Sequence, residues 1–436
     1  MKHKLISCRE HTGASEKKPR LVSAEGMREE RYVQRFPKTH KGKSKEQECF
    51  RFDKKANDEY QLTTGYFVGA DWIIEGERAL YVEPKLNVEG RQLDHLGMLF
   101  SCLKHAEVRE EIKELSIVKW DRPSIRISQE KDMLTPFLVV EFLAVLKDIV
   151  RKGLKKSYYP VERNLYGRVK GKVLVGKTVK HNLSQQKRLH VYCSHEAFGF
   201  DHKENRLLKK ALVFVQRYLP TFHRFADHKE LNNTLHYIMP AFAEVSEEIG
   251  PHEIKHSKFN AFYKEYGQAL DLAKMILKRF GYNLNNTVEA MVNTPPFWID
   301  MSKLFELYAL GLLKDRFGNQ VKFQVRKKGN ELDYLLDAPH DDKRLEYKMV
   351  VDAKYKEKYV KGRIHKDMRQ VSGYARLREV HKDLNIPRGE VIDCLIIYPD
   401  QENGVADLFD VNLKATEIDG YYNIFKVGVR LPMLER

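Results

Sequence analysis

The 436-residue sequence predicts a multidomain α+β protein in which three parts follow one another: a β-rich N-terminal domain, a helical connector carrying a basic β-hairpin, and a C-terminal mixed sheet flanked by helices. Three observations carry this. Short apolar runs punctuated by glycine fill 65–86, apolar residues recur at helical spacing over 133–154 and 201–284, and helix and strand patterns alternate after a break at Thr294-Pro295-Pro296. The expected divisions are a charged N-terminal arm over 1–60, which joins the next domain if it contains strands, the β-rich domain over 61–125, the connector over 126–292, and the C-terminal domain over 293–436.

Residues 1–60 are polar and strongly charged, with Lys38-Thr39-His40-Lys41-Gly42-Lys43-Ser44-Lys45 at their centre. Such a stretch suits either a flexible arm or early strands of the following domain. Tyr66-Phe67-Val68, Trp72-Ile73-Ile74 and Leu80-Tyr81-Val82 read as short strands, with Gly76-Glu77 as the turn between the last two. Helical spacing takes over at 93–115 and, more strongly, at 133–154, where Pro136 suits a helix start and Phe137, Val140, Phe142, Leu143 and Leu146 read as core. A further helix is expected over 201–219, with Asp201 as its N-cap and Leu207, Leu208, Leu212 and Val215 on its apolar side. More helix is expected over 231–284, interrupted near Gly250-Pro251.

Between these helices, 151–188 carries twelve Lys or Arg residues against one acid, Glu162, with Tyr158, Tyr159 and Tyr166 interleaved. A charge run is ordinarily a solvated face. An imbalance of this size also suits contact with a phosphate backbone, for which Lys170, Lys172, Lys177 and Lys180 are the candidates. Gly171 to Thr178 satisfies the spacing of a nucleotide-binding P-loop: Gly, four residues, then Gly-Lys-Thr. Its context argues otherwise. A phosphate loop follows an apolar strand and opens a helix, whereas here the apolar alternation lies inside the octet and Val179-Lys180-His181-Asn182 makes a poor helix start, so a β-hairpin strand is expected. His190, Cys193, His195 and His202 fit no closed four-ligand spacing and read as strand and loop residues.

The C-terminal domain opens with a largely apolar helix over 301–317, in which Glu306 is the exception, and a strand over 321–325. Residues 331–356, ELDYLLDAPHDDKRLEYKMVVDAKYK, then read as two strands around a turn at 338–342, with Asp337 a turn residue. Alternation puts Asp352 and Lys354 on one face of the second strand, and pairing of the strands brings Asp333 beside Asp352. Met349-Val350-Val351 lead straight into Asp352, so this acid ends a buried strand, where a charge is costly without a metal or a partner. Two adjacent carboxylates suit Mg²⁺, a hard cation that takes oxygen ligands and keeps several waters. A lysine on the same face can orient an attacking water and offset charge developing on a phosphoryl group. A helix over 364–384 sets Gln370 and Tyr374 on one face, either to hold substrate phosphate or the lysine, or to pack. Strands over 391–398 and 422–429 complete the sheet.

These motifs resemble the PD-(D/E)XK nucleases, and more closely the McrC family of nuclease subunits in McrBC-type modification-dependent restriction systems. Asp333 stands where the family has its first catalytic aspartate, and Asp352-Ala353-Lys354, within Val-Val-Asp-Ala-Lys-Tyr-Lys, matches its second motif. Leu304-Phe305-Glu306 resembles the opening of the nuclease domain's first helix, and Asp367 with Gln370-Val371-Ser372-Gly373-Tyr374 resembles its later one. Val82-Glu83-Pro84-Lys85, Gly167 to Gly171 and Glu204-Asn205-Arg206 are similar to further landmarks, so the likeness runs from about Tyr66 onward. Leu332 departs from the proline usual before the first aspartate. The resemblance implies an Mg²⁺-dependent endodeoxyribonuclease acting in defence against foreign DNA. Asp333 and Asp352 would hold the metal, Lys354 would position water, and Glu306, Gln370 and Tyr374 would support them. It also implies a partner, an McrB-type AAA+ GTPase ring that recognises DNA containing modified cytosine and translocates while this chain activates the ring and cuts.

Composition agrees with that expectation. A net charge of +16 and a pI near 9.3 favour a polyanionic partner. The five cysteines are scattered and odd in number, which fits a reducing cytoplasm. No apolar run is long enough for a membrane span, and the N-terminus lacks the apolar core of a signal peptide. Two other readings remain open at this level: a nuclease-dead DNA-binding or assembly module, and a nucleotide-driven motor using Lys177.

Overall fold

The computed structural model describes residues 4–13, 20–23, 25–40, 43–55, 59–87, 90–105, 108, 111–128, 131–221, 229–250, 264–279, 291–327, 329–339, 346–356, 364–408 and 410–435. The chain is a mixture of helices and several sheets and forms two compact units, one made of 1–137 with 290–436 and the other of 138–289.

In the first unit, alternating apolar residues build two sheets around one aromatic core. A five-stranded sheet runs in the order Lys4–Arg9, Arg78–Glu83, Phe67–Ile74, Phe297–Asp300, Ser116–Val118, and a four-stranded one in the order Arg20–Ser23, Glu59–Thr64, Lys43–Lys54, Arg31–His40. Phe36, Phe50, Phe52 and Tyr60 from the second sheet pack with Phe67, Leu80, Val82 and Trp298 from the first. Residues 1–60 therefore supply strands of this domain. Phe297–Asp300, expected in the C-terminal domain, lies between two strands of the N-terminal sheet. Its backbone comes so close to Gly69 that a Cβ there would sit 2.0 Å from the Phe297 carbonyl oxygen.

The C-terminal sheet of the same unit runs Val321–Lys327, Asn330–Pro339, Glu346–Ala353, Asp393–Pro399, Ile424–Val429, antiparallel across the first three strands and parallel thereafter. Helix Met301–Phe317 begins where the Asp300 side chain accepts the Lys303 N–H at 3.1 Å, and it is bonded to the sheet by the Tyr334 hydroxyl, which donates to the Glu306 carbonyl at 2.5 Å. Helix Ile364–Ala375 lays Met368 and Val371 against Leu335, Val350 and Ile396. The single helix expected over 364–384 is two, because Leu377 turns extended and packs on the same core before Arg378–Asp383. Asp337 is a strand residue opposite Lys348, not part of the turn. The expected turn from His340 on, the interruption at Pro251 and part of the 38–45 run lie outside the described residues.

The second unit is helical with a three-stranded antiparallel arm. Helix Leu134–Lys152 crosses the boundary at 137/138, which lies beyond the expected 125/126 because Ile125–Ser128 pairs with Met291–Thr294 in the first unit. Over 93–115 the described residues form helix His95–Cys102 and, after a break, a short 3₁₀ turn at Ile112–Glu114. Helix Lys203–Tyr218 is capped at His202. Asp201 instead accepts from Arg206, at 2.9 and 2.7 Å, and from the Ser246 N–H, at 2.9 Å. Strands Ser157–Tyr166 and His190–Gly199 pair over their whole length to form the arm.

Within the arm, Gly171 to Thr178 is not a loop. Lys172–Val173 forms an edge strand and Val175–His181 a helix, correcting the all-strand expectation. Gly171 has φ +72°, and a Cβ on it would meet the Ser194 carbonyl oxygen at 2.5 Å, so it is glycine for backbone packing rather than for a phosphate. Lys177 forms an ion pair with Glu162.

Candidate metal and active site

The C-terminal sheet brings three of the sequence candidates together. Tyr334 pairs with Val351, and continuing that register by one residue sets Asp333 opposite Asp352. The Asp333 carboxylate accepts the Ala353 N–H at 2.9 Å, and the Lys354 ammonium lies 2.5 Å from Asp352 Oδ2. Gln324, across from Asp333 on the neighbouring strand, has φ +47°, a left-handed backbone that is uncommon for a side-chain-bearing residue. Leu332, the residue that departs from proline, is fully buried in the core beneath helix Ile364–Ala375.

Electrostatics follow from burial. Asp352 is 0% exposed, and neither of its carboxylate oxygens accepts a hydrogen bond of good geometry, so the contact with Lys354 meets its charge only in part. Burial first, and the neighbouring Asp333 second, push its carboxyl up to about 8. Asp333 is likewise raised by burial, against the pull of Lys354. Burial opposes the charge on Lys354 too, but the two carboxylates outweigh it and hold the amine protonated. With both carboxylates ionised, two anions against one ammonium leave a negative charge for a cation to balance, and a fully buried, under-bonded carboxylate is the donor a hard divalent ion takes. The residues present fit Mg²⁺. Among the described residues no third Asp, Glu, His or Cys joins the pair, which suits an ion that keeps its waters.

The supporting candidates are placed less directly. Glu306 is joined to the site's strand through its main-chain carbonyl and is not gathered with the two aspartates as a third ligand. Gln370 donates to the Tyr374 hydroxyl at 2.8 Å, and Tyr374 is raised by burial and by the two aspartates, so this pair lies in the electrostatic reach of the site. Asp367, to which the sequence reading gave no role, is buried on the same helix, forms an ion pair with Lys356 and adds to the field at Asp352 and Lys354. Its spacing of three from Gln370 and seven from Tyr374 is a legible helical stripe.

Residues 62–398 match the family described as McrBC 5-methylcytosine restriction system component. The chain belongs to this family. Two solved assemblies from Thermococcus gammatolerans are similar to this McrBC component. One is a half-complex from a tetradecameric assembly of McrB AAA+ hexamers with bound McrC, at 17% identity over 87% of this chain and 80% of that one, with a TM-score of 0.35. The other is the McrBC complex seen by electron cryomicroscopy, at 16% identity over 58% of this chain and 67% of that one, with a TM-score of 0.28. Likeness of that degree carries no argument about the site, which stands on its own geometry. No curated protein matches the chain.

Lys170, Lys172, Lys177 and Lys180 are all exposed on the arm of the second unit. Beside them stand features that charge counting missed: eight of the large hydrophobic side chains exposed among the described residues fall between Tyr158 and Phe198. Tyr158 and Phe198 face each other across the strands with ring centres 5.0 Å apart. Among the described residues no helix is long and apolar enough to cross a membrane.

Proposed function

We propose that this McrBC component is an Mg²⁺-dependent DNA endonuclease subunit of a modified-cytosine-dependent restriction system, its C-terminal sheet a PD-(D/E)XK nuclease domain. The observation that carries the reading is Asp352, a fully buried and under-bonded carboxylate beside Asp333 and Lys354. Asp333 and Asp352 would hold Mg²⁺, which when bound neutralises charge on the phosphodiester and favours ionised water. Lys354 is held as an ammonium, so it orients the attacking water and offsets phosphoryl charge rather than accepting the water's proton. Tyr374, set by Gln370 on the same helix, flanks the site, and Asp367, through Lys356, ties helix Ile364–Ala375 to the chain just past the site's strand. Glu306 supports the same strand through the Tyr334 hydroxyl.

The partner is an AAA+ GTPase ring of the McrB kind, which this chain activates and which delivers DNA containing modified cytosine. Lys170, Lys172, Lys177 and Lys180 are proposed to contact phosphates of that DNA. A second reading of the arm is docking on the ring itself, favoured by the exposed Tyr158, Tyr166, Leu189 and Phe198. In the reconstituted system Asp352→Ala is expected to abolish Mg²⁺-dependent cleavage while GTP turnover by the ring continues; loss of turnover in a folded variant counts against the assignment. Lys177→Ala is expected to change no nucleotide binding by the isolated chain, and tight Mg²⁺-dependent GTP or ATP binding by that chain would restore the motor reading.

A further inference from the structure

Glutamate and lysine are rarely buried, because removing their charge from water is costly unless each is paired. Glu10 follows directly on strand Lys4–Arg9, and Lys85 lies two residues past strand Arg78–Glu83; the strands run parallel with Arg9 opposite Glu83, and Glu10 and Lys85 are 2% and 7% exposed. The Lys85 main-chain N–H donates to Glu10 Oε1 at 3.1 Å, and the Tyr355 hydroxyl donates to the same oxygen at 2.7 Å. The Lys85 ammonium donates to the Tyr355 main-chain carbonyl at 2.9 Å and lies 3.7 Å from the centre of the Tyr355 ring and 4.5 Å from that of Tyr66. Tyr355, 4% exposed, is thus held at carbonyl, ring and hydroxyl.

Tyr355 is the residue after Lys354. Strand Glu346–Ala353 ends one residue before the lysine, whose own N–H still donates to the Ile397 carbonyl at 2.8 Å. Past that bond Tyr355 is bonded to Lys85 and Glu10 rather than to the sheet. We propose that Lys85, braced by Glu10, is a positioning residue for Lys354: by fixing the Tyr355 carbonyl it keeps the Lys354 ammonium against Asp352. The inference rests on the nuclease reading, since there the placement of Lys354 sets a rate, and a displacement of about 1 Å at a reacting group can cost about a hundredfold.

Lys85→Met keeps the side chain's length and removes its cation, and Lys85→Arg restores one. In the full chain assembled with its ring, single-turnover cleavage at saturating Mg²⁺ and DNA is expected to slow about ten- to hundredfold for Lys85→Met and to recover largely for Lys85→Arg, with DNA affinity and GTP turnover unchanged. A second readout needs no activity. Acylation of the Lys354 amine by an amine-reactive ester in the isolated chain, followed by mass spectrometry, is expected to rise severalfold for Lys85→Met. Tyr355→Phe, which removes only the hydroxyl's hold on Glu10, is the milder variant and is expected to move both readouts in the same direction by less. Native cleavage and native Lys354 reactivity in Lys85→Met overturn the proposal, as does a loss of cleavage matched by equal losses of DNA affinity and GTP turnover. If Asp352→Ala cuts as fast as the native chain, the nuclease reading has failed on its own, and unchanged Lys354 acylation would then refute the positioning role separately.

Discussion

In the C-terminal sheet a carboxylate lies where water does not reach, whereas along the strands Ser157–Tyr166 and His190–Gly199 aromatic side chains lie where it does. Asp352 is completely buried; Tyr158 and Phe198 are 67% and 60% exposed. Each placement is unfavourable for the isolated chain, and each would be relieved by something the chain does not itself contain. A buried anion is relieved by a cation, and an exposed apolar patch by a second surface. The comparison separates chemistry from assembly: changes at the sheet should alter rate at fixed binding, and changes on the arm should alter binding at fixed rate.

The largest expected effect tests the first half. Lys354→Met leaves Asp333 and Asp352 in place but removes the ammonium, and cleavage by the assembled complex should fall about a hundredfold or more. DNA affinity should stay close to native, because one partly buried lysine adds little to phosphate contact. A variant that loses affinity and rate together would show that the sheet, too, is a binding surface. Next comes the arm. Tyr158→Ser with Phe198→Ser should weaken association with the ring about ten- to hundredfold if these aromatics anchor a protein interface. Because both are exposed, the pair should cost the isolated chain less than about 1 kcal/mol. Unchanged ring affinity in calorimetry or interferometry would remove the docking reading.

A third prediction uses pH to read the buried anion directly. Burial, with Asp333 beside it, pushes the Asp352 carboxyl in the folded chain up to about 8, whereas an unfolded aspartate releases its proton near pH 4. Between those values the folded state binds more protons, so the stability of the metal-free chain should fall as the pH rises. Asp352→Asn has no such proton to lose. It should be more stable than the native chain by about 1–3 kcal/mol near pH 8, and the difference should vanish toward pH 4. Mg²⁺ should stabilise the native chain in denaturant melts and do little for the variant. A native melt that ignores both pH and Mg²⁺ would mean the charge is already met by the protein.

What could be read from the sequence divides along the same line between local and distant effects. The hairpin that holds Asp333 and Asp352 was legible because side chains alternate with period two and an apolar run leads straight into Asp352; register then follows from pairing. Helix Met301–Phe317 was legible from its long apolar content. Distant pairings were not. Phe297–Asp300 joins a sheet whose other strands come from the first third of the chain, and Ile125–Ser128 finds its partner at Met291–Thr294, so the expected boundaries moved. The contacts of Lys85 and Glu10 with Tyr355 span 270 and 345 residues, and no local pattern announces them. Helix Val175–His181 was missed because β-branched and glycine residues weaken its local propensity, while tertiary bonds such as Thr178 Oγ1 accepting the Tyr192 N–H hold it.

The smallest effect is expected among the arm's own lysines, and it sharpens the question of what the arm binds. If Lys170, Lys172 and Lys180 each meet a phosphate, replacing one with Gln should weaken DNA association a few-fold and flatten the dependence of log affinity on log salt by about one unit per contact. Lys177 differs from them in having Glu162 as an ion-pair partner. Bringing it to a phosphate would break that pair or bring the carboxylate along, so Lys177→Gln should change the salt slope least of the four. Affinity measured across a salt series, beside cleavage by the assembled complex, gives the answer. Cleavage should drop only modestly once the ring holds the DNA, since Asp333, Asp352 and Lys354 are untouched. If the slope is the same in all four variants while assembly with the ring fails, the lysines and the exposed aromatics form one protein-docking surface, and phosphate contact is not what the arm's charge is for.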